Sequence, residues 1–109
     1  MTTAEIRADY RAACLQTITV RRYGGSGKVD KTAAGNIRQY GADELKGTVT
    51  QGDRKVIVIV EDLVAGGLNM PLTTKDKVID NGRECAIIHP GERKALDGTL
   101  IAYELQVRG

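Results

Sequence analysis

The sequence predicts a mainly β fold, a small antiparallel β-barrel or sandwich of about six strands with one short N-terminal helix. Three observations carry this reading. Segments with a period of two are separated by short turns, and no helical pattern falls between them as a βαβ arrangement would require. The chain has no Trp or Phe, and its aromatics are Tyr10, Tyr23, Tyr40 and Tyr103, so the core must be aliphatic. The run Arg54 to Asp62, RKVIVIVED, places the β-branched residues Val56 to Val60 between charged ends. That composition reads as a central strand, apolar on both faces. Val56, Val58 and Val60 point one way and Ile57 and Ile59 the other, because side chains alternate along a strand. One face lines the core, and the other needs a helix, a second sheet or another subunit.

The length of 109 residues fits a single domain, residues 1–109. Thr2 and Glu5 match a capping box, and Ile6, Tyr10, Ala13 and Cys14 follow at helical spacing. A helix within residues 1–15 is therefore expected, with Arg7, Asp9 and Arg11 on its outer side. Gln16 to Tyr23 alternates as a half-buried strand, with Ile18 and Val20 turned inward. The glycines of residues 24–31 then predict a flexible loop containing Gly24, Gly25, Gly27, Lys28 and Lys31. Gly-Gly-Ser-Gly-Lys does not complete a phosphate-binding loop, since Tyr23 stands where the first Gly should be and Val29 follows the lysine.

Thr32 to Tyr40 reads as a weaker strand in which Gly35 marks a bulge or a close backbone approach. The segment GADELKG leads through Thr48 to Thr50 into a turn at Gln51-Gly52-Asp53, and the central strand follows. Residues 63–74 form an apolar loop, because Leu63, Val64, Leu68, Met70 and Leu72 are interrupted by Gly66, Gly67 and Pro71. Such a loop either folds over its own barrel end or inserts against a neighbouring subunit. Asn81-Gly82 supplies both positive-φ positions of a type I′ turn, so Asp76 to Asp80 and Arg83 to His89 form a tight hairpin, with Val78 across from the Cys85 and Ile87 region. Pro90 and Gly91 are expected to end that strand, and Glu92 to Ala95 to cross the surface. Asp97-Gly98 turns the chain into Thr99 to Val107, where Ile101, Tyr103, Leu105 and Val107 face inward. Ala102, Glu104, Gln106 and Arg108 make a polar outer face.

The residues assemble no reactive set, so no enzyme, cofactor or metal site is expected. His89 is the single histidine. Cys85 lies four residues before it on the same strand, about 13 Å away and beyond hydrogen-bond reach. Cys14 and Cys85 fit no metal or disulfide pattern and read as buried thiols. Glu61 and Asp62 project to opposite faces and blunt a strand end, while Asp76, Asp80 and Asp97 serve turns. The net charge of +2 is far below that of a dedicated nucleic-acid binder. Arg21, Arg22, Lys28, Lys31 and Arg38 form either a solvated face or a basic rim for transient, sequence-independent DNA contact. Charges throughout Met1 to Ala13 argue against a secretory leader, and no apolar run approaches the roughly 20 residues that span a bilayer. A soluble protein made in the cytoplasm is expected.

The order of landmarks resembles the small head–tail connector proteins of tailed bacteriophages, the head-closure or stopper class also found in gene-transfer-agent particles. The residues that carry it are Thr19-Val20-Arg21-Arg22-Tyr23, Gln51 to Ile57 running into Glu61-Asp62-Leu63, Lys75 to Val78 with Asn81-Gly82-Arg83, and Ala102 to Gly109. The resemblance covers most of the chain from Thr17 and rests on order and spacing. It implies a virion neck protein that assembles as a homo-oligomeric ring between portal and tail proteins and retains packaged double-stranded DNA. On that reading Leu63, Val64, Leu68, Met70, Leu72, Ile6 and Tyr10 are candidate subunit or partner contacts. Gly24, Gly25, Gly27, Lys28 and Lys31 are candidates for narrowing the channel. A tail terminator capping the tail tube and a barrel-type nucleic-acid-binding module are the alternatives.

Overall fold

The computed structural model describes residues 2–25, 27–40 and 52–108. Helix α1 (Thr3–Ala13) leads into β1 (Gln16–Gly24) and β2 (Gly27–Gln39); β3 (Arg54–Ile59) runs into helix α2 (Val60–Ala65), and β4 (Lys77–Asp80), β5 (Arg83–Lys94) and β6 (Leu100–Arg108) follow. The six strands close an antiparallel barrel in the order β1-β2-β3-β6-β5-β4. The segment GADELKG, Thr48 to Thr50 and Gln51 lie outside the described residues. No helix among the described residues is long and apolar enough to cross a membrane.

The capping box forms as expected: the Glu5 amide donates to Thr2 Oγ1 at 3.1 Å, and the Thr2 amide donates to Glu5 Oε1 at 3.3 Å. Val56 and Val58 of β3 are fully buried in the barrel interior with Val20, Val78, Cys85, Tyr103, Leu105 and Val107. Ile57 points outward and joins a second cluster made by Ala95, Ile101 and Ala102 on the barrel and by Ile6 and Tyr10 of α1. The second face of the central strand is thus covered by the chain's own N-terminal helix. This explains why Ala102 is fully buried on the side of β6 expected to be polar. Gln106, on the same side, is buried because its Nε2 donates to Asp53 Oδ2 at 2.9 Å.

The central strand is shorter than its composition suggests. It stops at Ile59, opposite Ala102, and Val60 begins a helix. Burial of Val60 and Leu63, three apart, and the placement of Glu61 and Asp62 in the first turn are the helical signals within that run. The hairpin at Asn81-Gly82 matches its expectation, with φ of 52° and 78° and with Val78 opposite Cys85. Pro90 and Gly91 do not end β5, which continues to Lys94 with a register shift between Ile87 and His89. Beyond Ala86 the strand has β6 on one side only, and at such an edge a residue without an N–H is tolerated.

Gly35 marks a close approach, with no bulge. A Cβ there would overlap the Ile57 carbonyl oxygen and lie 2.6 Å from Ile18 Cγ1. The strands β1, β2 and β3 therefore meet at a point where only hydrogen fits. Gly35→Ala should lower the unfolding free energy by about 3 kcal/mol, an overpacking cost at the upper end of the usual range. Urea denaturation measures it, and an unchanged midpoint would show that β3 yields freely at this position.

Candidate assembly surface

Three features bear on assembly: the far end of the β1–β2 hairpin, the segment after α2, and helix α1. The hairpin corrects the expectation of a flexible loop at residues 24–31. Tyr23 pairs with Lys28 and Gly24 with Gly27, so β1 and β2 run on through the glycines and leave Gly25 in the connection at φ 54°. Cross-strand chemistry holds the extension. Arg21 grips Asp30 bidentately, Nε to Oδ1 at 2.8 Å and Nη2 to Oδ2 at 3.0 Å, and also reaches Glu84; Tyr23 donates its hydroxyl to Glu84. The Arg21 guanidinium holds the Asp30 carboxyl below its ordinary range, and the Tyr23 hydroxyl does the same for Glu84.

β4 pairs with β1 only from Thr19 to Arg21, and β3 pairs with β2 only from Gly35 to Gln39. Among the described residues, no third strand therefore flanks Arg22 to Gly24 and Gly27 to Val29, and they extend as a two-stranded arm whose Arg22 and Tyr23 side chains reach the strap and Glu84. Tyr23 and Val29 are exposed on it, as is Lys28, while Lys31 lies at its base beside Gly66. Of the five residues foreseen as a basic rim, Arg21 and Arg22 are spent on internal partners, Arg38 donates to the Gln39 carbonyl, and Lys28 and Lys31 remain as the arm's cations.

The apolar segment also differs from the interface reading. Leu63, Leu68 and Leu72 are 0%, 5% and 3% exposed and belong to the barrel's own core, which takes them out of the candidate contact set. Met70 packs partly against the same cluster, and Val64 alone of the five stays exposed. Residues 66–76 are a strap across the barrel end, fastened by Arg22. Its Nε and Nη2 hold the Asp76 carboxylate at 2.8 and 3.0 Å, Nη1 donates to the Asn69 carbonyl at 2.6 Å, and Nη2 donates to the Pro71 carbonyl at 3.1 Å. The Leu72 amide donates to the Tyr103 hydroxyl at 3.2 Å. Asp76 is thus a buried ion-pair partner, and its turn position conceals that role. An open groove of about 320 Å³ runs between arm and strap, lined by Arg22, Tyr23, Met70, Pro71 and Lys75.

Ile6 and Tyr10 touch the barrel from α1, but no residue of that helix is fully buried. Its remaining hold is polar. Arg11 donates to Glu61 at 2.6 Å and to Asp62 at 2.7 Å, Arg7 lies 3.4 Å from Glu61, and the Thr3 hydroxyl donates to Asp97 at 2.8 Å. Glu61 and Asp62 do not blunt a strand, as their alternation suggests, because the helical turn brings both to Arg11. Asp62 also accepts the Ala34 amide at 2.9 Å, taking the place of a strand partner where β3 has ended.

Nothing reactive gathers among the described residues. Cys85 is fully buried with Arg54 Nη2 3.0 Å from its sulfur, and His89 is exposed on β5. Cys14 is buried, which raises its thiol pKa. No three metal-binding side chains cluster among these residues.

Two outcomes follow from this geometry. Arg22→Met strands the buried Asp76 carboxylate and should cost about 3 kcal/mol in denaturant unfolding, in line with breaking a buried ion pair. A loss near zero would mean that the strap holds without it. The Arg11 guanidinium, and after it the Ala34 amide, hold the Asp62 carboxyl below its ordinary range. A carboxyl depressed by folding adds stability that is complete above its unfolded pKa of about 4 and is lost as pH falls through the lower folded value. Between about pH 5 and about pH 3, the protection factors of Ile6 to Ala13, taken relative to intrinsic exchange at each pH, should therefore fall ahead of those of the barrel strands, and above about pH 5 they should stay constant. Comparison with protein-family models and with curated proteins finds no match for this chain.

Proposed function

We propose that this protein is a structural head–tail connector subunit of the head-closure or stopper type, assembling as a ring between portal and tail and helping to retain packaged DNA. The observation that carries the reading is the projecting β1–β2 arm on an otherwise self-closed barrel. A barrel that has satisfied its own core needs no partner to fold, and an arm that reaches past it serves contact between molecules. Head-to-tail contacts between unlike surfaces close into rings, and an arm on one side of a small barrel suits them. The sequence resemblance supplies the setting of portal, tail and DNA. Within it, the arm's cations Lys28 and Lys31 are the proposed source of salt-sensitive contacts with phosphates that read no bases.

Native mass measurement of the purified chain, alone and mixed with portal rings or tail tubes, tests the proposal. Higher-order species and capture on portal rings are expected. Capture on tube ends in place of portal rings would make the chain a tail terminator. A strict monomer that ignores both assemblies and binds oligonucleotides tightly would end the connector reading.

A further inference from the structure

Helix α1 sits on its barrel in an unusual way. It covers the second face of the central strand at Ile57, together with Ile101 and Ala102, yet buries none of its own residues fully. A shallow apolar groove of about 200 Å³, lined by Asp9, Tyr10, Ala13, Cys14 and Ile57, stays open along its flank. The two most exposed large apolar side chains of the described residues lie near the two ends of α1. Leu15, 85% exposed, follows the helix directly. Leu96, 92% exposed, stands beside Asp97, to which Thr3 is bonded. Apolar surface is therefore left bare beyond both ends of α1, while the face beneath the helix is covered, with Ile101 1% and Ala102 0% exposed.

We propose that α1 is an exchangeable arm that leaves its own barrel and docks on the Ile57–Ile101–Ala102 face of a second copy of this chain. The occupant follows from the fit: that face already receives Ile6 and Tyr10, and its acidic corner, Glu61 and Asp62, already receives Arg7 and Arg11. An identical helix from another copy makes the same contacts, so exchange changes only the hinge and the entropy of association. The hinge is Leu15, between the buried Cys14 and the start of β1, and exchange must release the Asn36 side chain, which accepts from the Leu15 amide and donates to the Ala13 carbonyl. The inference deepens the connector reading and rests on it for its setting, since one-way exchange around a ring is a head-to-tail contact.

A charge-swapped pair tests it in full-length protein. Arg7→Glu with Arg11→Glu gives a helix repelled by its own Glu61 and Asp62. Glu61→Arg with Asp62→Asn gives a corner that repels its own Arg7 and Arg11, while the Asn side-chain oxygen can still accept the Ala34 amide. Circular dichroism first checks that both barrels are folded. Each variant alone should then be monomeric by native mass at concentrations where the wild type associates, and an equimolar mixture should regain 1:1 mixed assemblies of at least twice the subunit mass. Association of the mixture should weaken several-fold as salt rises, because only its mixed assemblies carry the ion pairs, whereas association of the wild type, whose monomer already carries them, should change little. A mixture that stays monomeric, or variants that each assemble as the wild type does, would overturn the exchange. Capture of the wild type on portal rings alongside failed mixing would discard the exchange and leave the connector reading in place. Mixing without portal capture would support the exchange and discard the connector reading.

Discussion

The structure depends on one constraint: a six-residue strand, Arg54–Ile59, apolar on both faces, which must be covered from two directions. Barrel closure supplies the first cover, since Val56 and Val58 can reach an interior only if the sheet curls round to meet itself. The second cover is needed at Ile57 and comes from α1. Other features adjust to this. Gly35 lacks a side chain because β2 must pass close against the Ile57 carbonyl, and Ala102 is small and buried because the helix lies over β6 as well. A β-barrel usually turns one polar face to water; here part of that face has become a second, smaller core.

Charge in this protein is mostly spent on holding pieces together. Arg22 fastens the strap through Asp76 and two carbonyls, Arg21 stiffens the arm through Asp30 and Glu84, Arg11 seats α1 through Glu61 and Asp62, and Arg108 with Gln106 secures Asp53. These links differ in worth. Asp76 and Asp53 are buried, so their partners relieve a desolvation cost, and removing either arginine leaves a charge where water cannot reach it. The Arg11 and Arg21 pairs face solvent, are screened by salt, and contribute little each. The barrel and its strap are therefore fixed by buried pairs, while arm and helix are held by exposed ones. The strong links lie within the core body and the weak links where parts meet the surroundings.

How much of this was legible in the sequence follows the range of each cause. Features fixed within a few residues could be read: the capping box at Thr2 and Glu5 and the positive-φ pair Asn81-Gly82, whereas at Gly35 a bulge and a close approach stayed open because the crowding comes from Ile57 and Ile18. Features fixed by distant partners could not. Val60 has a strand former's composition, but the ladder ends at Ile59, and Asp62 takes up the Ala34 amide, so the chain turns helical. Its Val60 and Leu63 spacing carried that signal under a stronger β-branched one. Residues 24–31 looked like a loop because glycine permits one, yet Arg21 and Asp30 lie opposite each other and zip the strands onward. Asp76 looked like a turn residue since its partner, Arg22, lies 54 positions away. The leucines at 63, 68 and 72 were ambiguous for the same reason: an interrupted apolar run reads alike whether its cover comes from its own barrel or from another's.

That ambiguity, once resolved, bears on how the molecule can act. Had the strap's leucines been exposed, association would be a condition of stability, and the isolated chain would be prone to indiscriminate sticking. With Leu63, Leu68 and Leu72 folded inward, the large apolar side chains left exposed among the described residues are the separate Leu15, Leu96, Val64, Val29 and Tyr23. No one of these is enough for a stable interface of the usual size. They lie, however, at the ends of α1, on α2 and on the arm, the parts tied down by exposed ion pairs or projecting from the barrel. In the ring proposed above, such a chain would fold alone and gain contacts when several weak surfaces engage together, which a closed ring provides and a single encounter does not. The division between a core locked by buried charge and a rim held by screened charge thus fits a part that is made separately and joined later.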